Sequence, residues 1–275
     1  MSYKVVMPGA LSATEWSQAG WRLEGDDAVD EAEHKLISPV LRRHLPQDGL
    51  IVDAGCGTGK WVTYLHGLGY RIVGLDICHE ALALAKRQAP GLALALADTQ
   101  RAPVRDGSVD AVLSLGVVEH DEGGPLAGLR ALHRMLKPGG LLVLDVPFNN
   151  WFRRLVTNPI ASLMTWRRRR AGWTLGFAEY RFDLGELHRF LTETGFEVVT
   201  AYPDDLRPPH NIGIWVDLHN IAFNPFRPPP SDRMFRLDGV TASAAALALR
   251  WCPWLVCGEV TVLARRRPGA AAGVP

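Results

Sequence analysis

Cysteine is scarce: four residues in 275, at positions 56, 78, 252 and 257. None forms a C-x-x-C pair, and their spacing offers no disulfide framework. Reduced thiols in a cytoplasmic protein are the expectation. Long apolar runs are missing too. No stretch of 18 apolar residues exists, so no transmembrane helix is expected. Residues 1–13 lack the charged-then-apolar pattern of a secretory leader. Charge of neither sign dominates: 30 basic against 29 acidic residues leave a formal net charge of +1. That balance gives no general reason to bind nucleic acid. No internal repeat is visible. What remains is a chain that is 47% hydrophobic and long enough for one large domain, 1–275, with an ample core.

Residues 51–59 read Ile-Val-Asp-Ala-Gly-Cys-Gly-Thr-Gly. An apolar strand ends on Asp53, and Gly55, Gly57 and Gly59 follow at alternate positions before a helical pattern. Glycine is needed where backbone turns with positive φ, or where a ligand lies against it with no room for a Cβ. The helix start then supplies free N–H groups and a partial positive charge. This is a nucleotide-type pocket at the carboxyl end of a strand. A dinucleotide fingerprint, G-x-G-x-x-G, would place its third glycine at position 60. Lys60 stands there, which argues against an NAD-dependent oxidoreductase.

A second strand, Arg71–Ile77, ends on Asp76, 21 residues after Gly55. An acid at that place accepts both hydroxyls of a ribose, or caps the next helix. A third strand, Leu92–Ala97, runs into Asp98-Thr99, a polar pair suited to an adenine amine or to the start of a solvated loop. A fourth, Val109–Leu115, stops at Gly116. Leu126, Leu129, Leu132 and Leu136 make one face of a helix over 125–136, which Lys137-Pro-Gly-Gly140 ends. Leu141–Val146 reads as an apolar strand buried on both faces. Ahead of the first strand, 27–46 reads as a helix that Pro39 kinks. Past the fifth strand, Asp183 and Glu186 form a capping box for a helix over 183–195. Strands at 196–201 and 259–264 and a helix at 242–251 complete the pattern. Strands alternating with helices predict a parallel sheet covered on both faces.

Val52-Asp-Ala-Gly-Cys-Gly-Thr-Gly59, Gly74-Leu-Asp76, Ala97-Asp98, Leu113–His120 and Leu136-Lys-Pro-Gly-Gly140 stand in order at ordinary spacing. Over roughly 27–202 and 259–266 the chain resembles the class I S-adenosylmethionine (SAM)-dependent methyltransferases, in the group of the ubiquinone-pathway O-methyltransferases. The resemblance implies an α/β, Rossmann-like, seven-stranded sheet of order 3-2-1-4-5-7-6, with strand 7 antiparallel. It implies SAM as cofactor, with the glycine turn at the methionine part, Asp76 at the ribose and Asp98 at the adenine amine. The candidate cofactor residues are then Asp53, Gly55, Cys56, Gly57, Gly59, Asp76, Ile77, Asp98, Thr99, Leu115 and Gly116.

Two insertions extend the expected core. The first, 147–182, holds seven arginines against one acid, Glu179, with Trp151, Trp166 and Trp173 interleaved. It is expected to cover the substrate, a small-molecule or lipid-linked acceptor. Trp and Arg also suit contact of 151–173 with a membrane surface, which would place the protein at the inner face of a membrane; a charge run is otherwise a solvated face. The second, 203–258, is a Pro-rich irregular loop followed by a helix. A tail from about 266 to 275 reads as disordered. Trp16 and Trp21 fold over bound SAM or pack as ordinary core.

Methyl transfer needs alignment, worth about 7–11 kcal/mol of barrier, and a deprotonated acceptor. A general base adds roughly 10²–10⁴-fold. His120, just past strand four, is the first candidate for that base, and His210 on the long loop the second. Trp151, Tyr180, Arg181 and His210 are candidates for contact with the acceptor. Glu119, His120 and Asp121 raise a metal alternative, but consecutive residues do not converge on one ion, and no metal is expected. No Asn/Asp-Pro-Pro-Tyr/Phe stretch follows strand four, which argues against methylation of DNA amino groups or protein amides. Transfer to a hydroxyl oxygen is expected before transfer to nitrogen or carbon. A non-catalytic SAM-binding partner protein is the rival class.

Overall fold

The computed structural model describes residues 2–8, 32–222 and 235–269. In chain order, β1 (Tyr3–Pro8), α1 (Ser38–His44), β2 (Leu50–Ala54), α2 (Lys60–Gly67), β3 (Arg71–Asp76), α3 (His79–Gln88), β4 (Ala93–Leu96) and β5 (Val109–Leu115) come first. Then follow α4 (Leu126–Met135), β6 (Leu136–Pro147), a π-helical turn (Arg153–Thr157), α5 (Asn158–Arg170), β7 (Leu175–Arg181) and α6 (Leu184–Glu193). Last are β8 (Phe196–Asp204), α7 (Ile212–Ala222), α8 (Gly239–Trp251), α9 (Pro253–Val256) and β9 (Glu259–Arg266).

Seven strands form one sheet in the order β4-β3-β2-β5-β6-β9-β8. Counted from β2, this is the expected order 3-2-1-4-5-7-6. β9 runs antiparallel to both β6 and β8, and the other pairings are parallel. Successive residues of a strand face opposite sides, and both sides here are covered. Val52, Val112, Leu142 and Leu144 pack in one apolar cluster with Leu129 and Leu132 of α4 and Leu187 of α6. Their neighbours Ile51, Ala111, Leu141 and Val143 pack in a second with Leu41 of α1 and Trp61 and Leu65 of α2. Each fully buried leucine or valine stabilises the fold by about 1.5–3 kcal/mol. These two layers hold the carboxyl ends of β2, β3, β4, β5, β6 and β8 on one edge.

Several expectations need correction. Pro39 does not kink one long helix. A helical turn at 32–34 ends before Lys35, and α1 starts afresh with Pro39 in its first turn, where its missing N–H has no helical partner to lose. The run Lys137–Gly140 ends α4 but lies inside β6, looped out between the pairs Val109–Leu136 and Ala111–Leu141. The stretch after β8 is not all irregular, since it contains α7. Arg265 and Arg266 belong to β9 and not to a disordered tail; Arg266 donates to the carbonyls of His133 and Arg134 at the end of α4. The first insertion contributes β7, which pairs antiparallel with β1 in a separate two-stranded sheet. The Asp183–Glu186 capping box is present on α6. Trp16, Trp21, the start of the 27–46 helix and residues 270–275 lie outside the described residues.

Candidate active site

The turn after β2 is held by backbone. The N–H groups of Gly55 and Cys56 both donate to Leu75 O of β3, at 2.7 and 2.9 Å. Gly55 has φ +91°, and a Cβ there would lie 2.4 Å from Val117 Cγ2. Gly57 has φ +54° and Gly59 φ +76°. Gly59 opens α2 without a side-chain cap, so the first N–H groups of that helix are not satisfied by their own N-cap residue.

Two carboxylates meet at this turn. Asp76 is buried and accepts from Gly57 N–H and Cys78 N–H, each at 2.7 Å. Asp53 is more buried still, and its Oδ2 has no hydrogen-bond partner among the described residues. Burial, then the charge of Asp76, pushes the Asp53 carboxyl up to about 7, against the opposing pull of Lys60. An unpaired buried acceptor costs about 1–3 kcal/mol, so Asp53 stands ready for a donor that the described residues do not supply. A glycine turn with no room for a Cβ, an uncapped helix start and an orphaned carboxylate fit the amino-acid portion of SAM. Cys56 lines the turn from within as a buried thiol that burial raises well above its ordinary range.

The neighbouring loops complete the edge. Asp98, half-buried after β4, caps a 3-10 turn at Thr99–Arg101 by accepting Gln100 N–H at 2.9 Å. Gln100 Nε2 in turn donates to Asp121 Oδ2 at 2.9 Å, joining the β4 and β5 loops. Ile77 is exposed beside Asp76. Leu115 ends β5, and Gly116 donates to Asp145 O at 2.9 Å.

Glu119 and His120 occupy the 3-10 turn after β5. The carbonyl of Ala178 lies 2.9 Å from His120 Nδ1. A carbonyl only accepts, so Nδ1 carries the proton and Nε2 of the neutral ring is the free base. Glu119 Oε1 is 3.7 Å from that Nε2. Burial lowers the imidazole pKa, but Glu119, the Ala178 carbonyl and Glu179 outweigh it and leave it raised. Glu119 itself is buried, its Oε2 unpaired among the described residues, and burial pushes its carboxyl up to about 7 against the pull of His120. Sequence reasoning weighed Glu119 only as a metal ligand.

The acceptor candidates separate. Tyr180 is half-buried against Phe177 and Phe182, and its hydroxyl donates to Glu122 O at 3.0 Å. Trp151 is exposed, stacked with Arg154, and lines with Phe148 and Asp183 a cavity of about 280 Å³. Arg181 is already paired inside the protein. It is buried, with Nη1 2.9 Å from Asp217 Oδ1 and Nε 3.2 Å from Glu179 Oε1. Arg153 meets the other oxygen of Asp217 at 2.9 Å. Two of the seven arginines of the insertion are thus internal counter-ions. His210 lies on the turn after β8, its N–H on Arg207 O and its backbone bridged to Arg236. β8 is four strands along the sheet from β2, whereas β5, which carries His120, is its neighbour.

A second buried cluster went unnoticed in the sequence. Asp145, Asp204 and Glu259 bring carboxylate oxygens within 4.8 Å of one another. The ammonium of Lys35 bonds Asp204 Oδ2 at 3.0 Å, contacts Glu259 and lies 3.8 Å from Asp145. The trio already holds its cation. Asp145 sits within the run read as apolar, and a charge inside such a strand was the available signal.

Residues 52–144 match the family described as methyltransferase domain. A human probable tRNA methyltransferase 9B is 31% identical over 113 residues, 39% of this chain and 24% of that protein. The chain therefore spans about a quarter of the length of that relative. The ubiquinone biosynthesis O-methyltransferase of Cereibacter sphaeroides is 36% identical over 108 residues, 38% of this chain and 43% of that one. An uncharacterized methyltransferase of Synechocystis is 31% identical over 176 residues, 63% of this chain and 77% of that one. Among solved structures, the complex of the Haloferax volcanii Trm112 methyltransferase activator with a putative methyltransferase contains a chain of the same fold. The TM-score is 0.61 at 18% identity, covering 94% of this chain and 100% of that one. A relative 31% identical and covered over 77% of its own length settles the kinship: the chain belongs to the SAM-dependent methyltransferases.

Proposed function

We propose that the protein methylates a hydroxyl oxygen of a small or lipid-linked acceptor, with His120 as the general base. The observation that carries this reading is the fixed tautomer of His120. Ala178 O holds the proton on Nδ1, so Nε2 is the nitrogen able to take a proton from an acceptor hydroxyl. Glu119 Oε1, 3.7 Å from Nε2, then faces the imidazolium that forms. Bound SAM supplies the methyl group on an already activated sulfur leaving group. The chain's own part is to orient and deprotonate. Asp76 serves the ribose, Asp98 the adenine amine, and the free Oδ2 of Asp53 the amino-acid end. Oxygen as the methylated atom agrees with the O-methyltransferase relative.

Transfer to an amine is the second reading. It rests on the unpaired Oε2 of Glu119, an acceptor for an acceptor N–H. A screen of hydroxyl and amine compounds with methyl-labelled SAM separates the two. Label on hydroxyls, lost in His120→Gln while calorimetric SAM affinity holds, supports the first reading. Label on amines alone overturns it.

A further inference from the structure

Three tryptophans and a run of arginines mark the first insertion, and the structure divides them. Arg153 and Arg181 are internal, paired with Asp217. Along α5, Ile160, Leu163 and Trp166 stand exposed at helical spacing, continuing Leu155 and Val156 of the π-helical turn. Leu155 is 71% and Trp166 51% exposed. The stripe ends in Arg167–Arg170, with the Arg170 guanidinium 4.4 Å from the Trp166 ring. Arg154 packs the same way on Trp151 at 5.0 Å.

A second helix repeats the composition. On α8, Val240, Leu247 and Trp251 share one face, with Val240 88% and Trp251 74% exposed. Arg250 lies 5.7 Å from the Trp251 ring. Neither α5 nor α8 contains a single acid. α9 follows α8 directly and sets Trp254 against Phe148, next to the start of the insertion.

Arginines at the end of a helix answer its dipole, but that accounts for none of the exposed apolar side chains. Single exposed leucines are ordinary, whereas contiguous apolar stripes mark interaction sites. We infer that the exposed face of α5, with Trp151 and Leu155, docks on an anionic lipid bilayer. Tryptophan prefers the headgroup level. Leucine and isoleucine reach the acyl boundary, and arginines flanking them attract acidic headgroups. A second copy of the chain fits this face poorly. A two-fold contact through α5 would bring two arginine runs into one interface with no acid on either helix to pair them.

The inference concerns binding and stands apart from the methyl-transfer reading. The test is co-sedimentation of the full chain with vesicles of phosphatidylcholine, with and without phosphatidylglycerol. Binding is expected only with phosphatidylglycerol. Leu163→Glu, on an exposed position, weakens it at least about tenfold. Changing Arg167–Arg170 to Gln weakens it about a hundredfold or more and removes its salt dependence. Calorimetric SAM affinity is unchanged in both variants, which shows that they fold. Absence of sedimentation, or sedimentation indifferent to Leu163→Glu, overturns the inference. So does a dimer in light scattering that Leu163→Glu dissolves in protein that ignores vesicles. Binding to RNA without binding to vesicles, abolished by the arginine changes alone, overturns it as well.

Discussion

Asp76 reaches from the end of β3 to the turn after β2, where its Oδ2 accepts Gly57 N–H at 2.7 Å. One carboxylate therefore shapes the glycine turn and stands where the ribose is proposed to bind. Asp76→Ala should weaken SAM binding by about 2–5 kcal/mol, since it removes an acceptor from a closed site and frees the turn. Titration calorimetry of wild type and variant measures this. Equal affinities would remove Asp76 from the cofactor site.

Asp53 gives the apo protein a pH dependence of known sign. Its carboxyl is pushed up to about 7 in the fold, against 3.8 for the free group. Between those values the unfolded chain has lost the proton while the folded chain keeps it. Stability therefore falls as pH rises from about 4 to 7, by at most about 4 kcal/mol from this group. Glu119, up to about 7, and Asp205, up to about 6, act in the same direction. Urea unfolding across this range should show the decline, with a shallower slope in Asp53→Asn. A cationic ligand group at Oδ2 favours the ionised form, so SAM binding near pH 6 should release a proton that the variant does not release. Calorimetry in buffers of different ionisation enthalpy reads that proton directly.

His120 should give the methyl-transfer rate a rising limb. The base form grows as pH climbs through a pKa raised above 6.5. Glu119 is the leading charge behind that rise, so Glu119→Gln should move the limb to lower pH. His120→Gln should lower kcat by roughly 10²–10⁴-fold with SAM affinity intact. A limb that stays in place in Glu119→Gln would detach the two residues.

The features legible in the sequence are those whose cause is local. Gly55, Gly57 and Gly59 announce a turn because glycine alone suits positive φ at successive steps. Asp183 and Glu186 announce a cap because both bonds close within one turn. The sheet order was implied by the family resemblance that the ordered motifs carry. What stayed hidden is held by pairs distant in sequence. Lys35 meets Asp204 across 169 residues, and Arg153 meets Asp217 across 64. Arg181 has Glu179 two residues away, but its other partner, Asp217, lies 36 residues on, so it read as a ligand for the acceptor. β1 and β7 escaped notice because two short strands from distant segments define each other only on pairing.

Asp217 is the point where the insertion is fastened to α7, and its loss should be strongly destabilising. Its two oxygens meet Arg153 Nε and Arg181 Nη1 at 2.9 Å each, and Thr157 Oγ1 lies 3.4 Å away. All three charged side chains are buried. Removing the carboxylate strands two guanidiniums, though unequally. Arg181 keeps Glu179, while among the described residues Arg153 keeps only the carbonyls of Phe148 and Gly258. Breaking one partner out of a buried ion pair costs about 3–5 kcal/mol, so Asp217→Ala should lower the unfolding free energy by that amount. Most of the cost is the stranded charge of Arg153. Asp217→Ala made in an Arg153→Met background should therefore cost about 1–3 kcal/mol less than in the wild type. Urea denaturation of the four proteins of this double-mutant cycle measures the difference. Additive losses would mean that Asp217 acts through α7 packing and not through the arginine.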